Sequence, residues 1–192
     1  MKWLLGALIA AALIVFVYLA SAWYSLDQLV LTARSGEGAR LLQLTDVPRV
    51  RHSLVDQIIV AYLKKIGRGR PVKPFERLAI ETFGASIADE VVIKLTTAEN
   101  LSALLQTGVI HDAANNLEFG QMAALANLDI SHPGHALRQM RPVKLVEFSL
   151  QLGAEPSAGS ISMHFDGPGW KLSGINVPAA TVDKLVGRLP SR

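Results

Sequence analysis

The 192-residue chain is half hydrophobic and 18% charged, a balance that excludes an intrinsically disordered protein. Nineteen basic against 16 acidic residues leave a net charge of +3, too even to indicate a nucleic-acid partner. With no cysteine, disulfides, thiolate metal sites and a cysteine nucleophile are excluded as well.

The chain opens on an uncharged run from Trp3 to Tyr24, preceded by Lys2 and followed by Asp27. About 20 apolar residues at 1.5 Å rise match a bilayer core of about 30 Å, and a helix is the one single-segment structure that satisfies its own backbone there. Trp3 at one end and Tyr18, Trp23 and Tyr24 at the other resemble interfacial anchors. Ala20-Ser21-Ala22 has the small-x-small form of a leader cleavage site, but the apolar run before it is longer than a leader's usual 7–15 residues. A retained anchor is therefore preferred, with cleavage after Ala22 as the alternative. Lys2 favours a cytoplasmic N-terminus and a body on the periplasmic side of an inner membrane, whereas Arg34 and Arg40 argue the other way. Residues 1–24 are thus read as the anchor, and 25–192 as one α+β domain.

Leu26, Leu29 and Val30 continue helical spacing, and the helix is expected to end near Gly36. Glu37 to Asp46 reads as a short second helix carrying Leu41, Leu42 and Leu44. Val47-Pro48 interrupts it, because the residue before proline disfavours the helical region, and Pro48 suits the first turn of a third helix. There Leu54, Val55, Ile58, Ile59, Tyr62, Leu63 and Ile66 fall on one stripe. The stretch Gly67 to Pro74 reads as a loop, and a fourth helix is expected from Phe75 to about Lys94. Thr97 is placed as the N-cap of a helix through Leu101, Leu104 and Leu105, closed by Gly108. Leu117 to Ala126 is a further helix candidate, and Ser131-His132-Pro133-Gly134 has turn chemistry.

The C-terminal third changes period. Residues Lys144, Val146, Phe148, Leu150 and Leu152 alternate with their neighbours as one strand, and Ile161, Met163 and Phe165 mark a second. Asp166-Gly167-Pro168-Gly169 is a turn before a third strand, Trp170 to Val177, whose alternation slips near Ser173-Gly174 and so predicts a bulge. A last helix is expected from Ala180 to Leu189. Helices followed by strands indicate an α+β fold: a transmembrane helix, then a helical layer on a three-stranded antiparallel meander.

Three features then stand in order along the chain. An apolar N-terminal segment runs into Trp23-Tyr24 and Leu26. A turn follows, Asp46-Val47-Pro48-Arg49-Val50-Arg51, and near the end comes the strand Gly169-Trp170-Lys171-Leu172-Ser173-Gly174-Ile175-Asn176-Val177-Pro178. Together, over about residues 18–178, they resemble a bacterial family, domain of unknown function 2939. Val47 replaces that family's usual aromatic residue, and the helix after Pro178 extends beyond its pattern. The resemblance implies a membrane-tethered or exported protein and transfers no catalytic residue.

Among polar clusters, Asp46, Arg49 and Arg51 are the candidate ligand site, since two forked guanidinium donors suit a carboxylate or phosphate. The simpler explanation is that Asp46 caps the helix at Pro48 and the arginines pair locally. Lys64, Lys65, Arg68, Arg70 and Lys73, with Arg77 beyond, form a basic group suited to an anionic surface such as a phospholipid headgroup. A solvated loop is the alternative, and missing aromatics argue against single-stranded nucleic acid. Asp129, His132 and His135 recur at three-residue intervals, but Pro133-Gly134 breaks helical projection, so no metal site and no cofactor is expected. Glu147 and Asp166 are an acid pair on solvated faces, and Phe148 and Trp170 are read as core. No nucleophile elbow or phosphate loop occurs. The reading that follows is a non-enzymatic envelope protein binding a ligand or partner. Its bilayer contact is residues 3–24, and an envelope protein or anionic lipid is its further partner. The alternative is a small hydrolase or isomerase using His132, His135 or Asp46 between helices and sheet.

Overall fold

The uncharged run folds as the first half of one unbroken helix, α1 (Lys2–Ser35), stopped at Gly36. The computed structural model describes residues 2–67, 75, 88–111, 118–130 and 139–187. The two halves of α1 have opposite surroundings. Side chains from Gly6 to Val17 are exposed, with Leu8 at 71% and Ile14 at 70%, while Leu26, Leu29, Val30 and Ala33 are fully buried. Contact with the rest of the chain begins at Tyr18.

Helix α2 (Gly38–Gln43) is shorter than expected, because Leu44 to Asp46 leave it to run beside a strand. The Asp46 amide donates to the Leu172 carbonyl at 2.8 Å, and the Leu172 amide donates to the Leu44 carbonyl at 2.9 Å. Helix α3 (Val47–Gly67) then starts with Asp46 as its cap: the Arg49 amide donates to Asp46 Oδ1 at 3.2 Å. Val50, Leu54, Val55 and Ile58 form its buried stripe, with Ile59 and Tyr62 packed at the edge. Asp46→Ala removes the cap acceptor and is expected to cost about 1 kcal/mol in urea unfolding, with Asp46→Asn restoring most of it. No measurable loss in the alanine variant would mean that α3 does not depend on this cap.

Of the expected fourth helix, Phe75 and the last turns are described, the latter as helix α4 at residues 88–95 with Ala88 and Val92 buried. Helix α5 (Ala98–Thr107) has the expected ends: Thr97 Oγ1 accepts from the Asn100 amide, and Gly108 closes it in the left-handed region. Strands β1 (Val109–His111) and β2 (Glu118–Gln121) form a small antiparallel pair, and Leu125–Asn127 make a single 3-10 turn. This corrects the helix expected at 117–126. Gly120 weakens a helix there, and pairing with the strand after Gly108 satisfies the backbone instead.

The main sheet has four strands, not three, in the order β3 (Met140–Lys144), β4 (Glu147–Gln151), β5 (Ser160–Phe165) and β6 (Trp170–Asn176), all antiparallel neighbours. The single strand expected over 144–152 is split by a two-residue turn at Leu145-Val146. The bulge lies where the broken alternation put it: Ser162 faces Gly174 and Met163 faces Leu172, so Ser173 is the extra residue. It keeps Trp170, Leu172 and Ile175 on the face shared with Phe148, Leu150, Ile161 and Met163. That face meets the buried sides of α1, α3 and α5 in one continuous core, and helix α6 (Ala179–Gly187) adds Val182 and Val186. At the far edge β3 is guarded by exposed Arg141, Pro142 and Lys144, which resist edge-to-edge pairing.

Candidate functional site

A concavity lies where the exposed half of α1 meets the sheet. It is a cleft of about 440 Å³, within the common range for ligand pockets. Tyr18, Leu19 and Ala22 form the α1 wall, Met140 and Pro142 to Leu145 the β3 side, and Phe148 and Trp170 the floor. Its lining is mainly apolar, and its charged members, Lys144 and Glu147, pair with each other at 3.4 Å.

The cleft owes its shape to how α1 is pinned. Trp170 stands among three rings, with centroid distances of 5.1 Å to Tyr18, 5.0 Å to Phe148 and 5.6 Å to Phe165. Its indole Nε1 donates to Ser21 Oγ at 3.1 Å, and Ser21 Oγ donates to the Tyr18 carbonyl at 2.7 Å. The Tyr18 hydroxyl donates to the Leu145 carbonyl. One turn of α1 therefore holds both β6 and the β3–β4 turn, leaving a gap between them that the small Ala22 side chain does not fill.

Outside the cleft the same end of the sheet is charged. Lys171 Nζ lies 2.9 Å from Asp166 Oδ2, and this hydrogen bond and charge hold the Asp166 carboxyl below the usual carboxylate range and the Lys171 ammonium above its own. Arg49 and His164 also act on Asp166, and Asp46 acts on Lys171, so signs alternate across the surface.

The three residues of the sequence-based ligand site do not converge. Arg49 Nε pairs with Asp46 Oδ2 at 3.1 Å, while Arg51 Nε turns away to Thr96 Oγ1 at 2.9 Å. Lys64 and Lys65 are exposed in the last turn of α3, where cations complement the helix dipole. Arg68, Arg70, Lys73 and Arg77 lie outside the described residues, as do His132 and His135. Glu147 and Asp166 do not form an acid pair: each faces its own lysine.

Among the described residues no group of His, Asp and Glu is placed to hold a metal ion, and no buried side-chain nitrogen or oxygen lacks a partner. The His52–Asp56 pair, at 3.4 Å, stands on the open surface of α3. Sequence reasoning missed the cleft because its walls are separated by about 120 positions along the chain. Leu145-Val146, where the chain turns, carries no glycine, proline or asparagine that would have signalled it.

Residues 11–104 match the family described as Protein of unknown function (DUF2939). The matched stretch takes in Trp23-Tyr24 and the Asp46–Arg51 turn and ends before the sheet. No curated protein and no solved structure matches the chain.

Proposed function

Through residues 11–104 the chain belongs to the DUF2939 family, and from that premise we propose that it is a membrane-tethered envelope protein whose body binds an apolar ligand or partner without catalysing a reaction. The observation that carries this is α1 itself: one unbroken helix is exposed and apolar over its first half and core over its second. Among the described residues it is the one helix long and apolar enough to cross a membrane. Leu8, Val15 and Leu19 find no place in the interior, being 71%, 56% and 47% exposed.

Retention is favoured over cleavage by the state of the small-residue site. Ala20 to Ala22 lie inside the helix, Ser21 accepts the Trp170 indole proton, and Ala22 is buried at 4%. Arg34 and Arg40 still count on the body side, with Arg34 donating to the Ala126 and Leu128 carbonyls and Arg40 to Gln28. Lys2, directly before the span, is the feature that favours a cytoplasmic N-terminus and a periplasmic body. A binding role is favoured over an enzymatic one because the cleft gathers no histidine and no unpaired carboxylate.

Full-length protein is expected in the membrane fraction, and alkaline carbonate is expected to leave it there. Recovery as a soluble protein with Trp23 as its first residue would overturn the tether in favour of cleavage.

A further inference from the structure

We infer that the β3–β4 hairpin is a second membrane contact, and that the cleft it forms with α1 receives an acyl chain of a phospholipid from the adjoining leaflet. This deepens the tethered reading and rests on it. The hairpin tip carries Val143, Leu145 and Val146 at 54%, 92% and 44% exposure, with Lys144 among them. Leu145, the most exposed of them, stands at the apex of a turn with its carbonyl fixed by the Tyr18 hydroxyl.

Depth follows from helix arithmetic. Trp3, at 94% exposure, is the aromatic anchor of the opposite interface. From Trp3 to Tyr18 the helix rises about 22 Å, while the hydrocarbon layer is about 30 Å thick. Tyr18 therefore lies short of the far boundary, and tilting the helix brings it deeper. Because the hairpin is bonded to Tyr18, its tip lies below that boundary too. Three apolar side chains facing water would be a cost; facing lipid they are a gain. Lys144 lays its aliphatic stem along apolar surface and keeps its ammonium on Glu147 at the rim.

The cleft between hairpin and helix opens at this same depth. Its α1 wall, Tyr18 and Leu19, continues directly into the exposed face that meets lipid. A surface continuous with the hydrocarbon and lined by Leu19, Val143, Phe148 and Trp170 is filled from the bilayer, so its occupant is an acyl chain. Its entry requires no unpaired polar group to be buried, since Lys144 and Glu147 satisfy each other at the rim.

The chain has no cysteine, so single labels are read without background. Leu145→Cys and Ala154→Cys, the latter in the loop at the opposite end of the sheet, are each labelled with an environment-sensitive fluorophore. The full-length protein is then reconstituted into phosphatidylcholine–phosphatidylglycerol vesicles. The label at 145 is expected to shift to the blue and to be quenched by nitroxides high on the acyl chain, while the label at 154 reports water. In a second arm Trp3 and Trp23 are replaced by phenylalanine, and Trp170 is expected to lose most of its emission when the vesicles carry acyl-brominated lipid. A label at 145 that reports water, or an unquenched Trp170, overturns the inference. A label at 145 shielded from water yet untouched by the nitroxides would assign the face to a second copy or another protein, and overturns it equally. Carbonate extraction of the same preparation separates the two ideas: a resistant protein with an aqueous hairpin fails only here, whereas a released protein fails the tether itself.

Discussion

Trp170→Ala is expected to lower the unfolding free energy by about 3–5 kcal/mol, the usual cost of removing a large aromatic side chain from a core. The indole is 3% exposed and touches three other rings, so its removal strips packing contacts from all of them. A second cost adds to the first. Ser21 loses its donor, and with it goes a bond that, with the Tyr18–Leu145 bond, seats α1 against the sheet. Phe148→Ala, at 7% exposure and in contact with the same indole, belongs in the same range. Trp170→Phe separates the contributions: it keeps a ring in the site and forfeits the hydrogen bond, at a cost of roughly 1–2 kcal/mol. Urea unfolding of the full chain in mild detergent, followed by circular dichroism, measures all three. A loss under about 1 kcal/mol for both alanine variants would mean that the sheet's aromatic end is not part of the core.

The position of Trp170 was legible in the sequence because β5 alternates, and β6 does so from Trp170 to Leu172, with an apolar face toward the core. The bulge at Ser173 was legible because the alternation breaks there, and a broken alternation marks an extra residue. The ends of α5 could be read from Thr97 and Gly108, because capping chemistry is local. The β3–β4 turn was not legible. Alternation runs through Lys144, Val146 and Phe148 without a break, and Leu145-Val146 carries no glycine, proline or asparagine to announce a reversal. Strand β3 is itself exposed on both faces from Arg141 to Lys144, so no burial pattern marks it. The cleft inherits that opacity. Its far wall is an edge strand without periodicity, and its near wall is a helix whose composition speaks only of the membrane. The Asp46 group shows the reverse: the residues were conspicuous, yet Asp46 caps α3, Arg49 pairs with it, and Arg51 is directed elsewhere.

Gly108→Ala tests the joint on which β1 and β2 depend, and a loss above about 2 kcal/mol is expected. Two effects combine there. Gly108 ends α5 at φ +75°, a conformation that costs an L-residue roughly 1–2 kcal/mol. A methyl group built on it would also stand 2.1 Å from the Met122 carbonyl oxygen, far inside contact distance. That carbonyl cannot move freely, because the Met122 amide donates to the Gly108 carbonyl at 2.8 Å and the side chain of Met122 is core. The backbone of one segment must therefore shift, loosening the pairing of Val109 with Gln121. Gly167 supplies the comparison. Its φ is +63° but an added methyl group meets nothing within 4 Å, so Gly167→Ala carries the conformational cost alone, about 1–2 kcal/mol. The difference between the two variants in urea unfolding isolates the close approach of α5's end to Met122. Equal losses in both would mean that strand β2 does not pack against that end, and the small sheet would have to be placed differently.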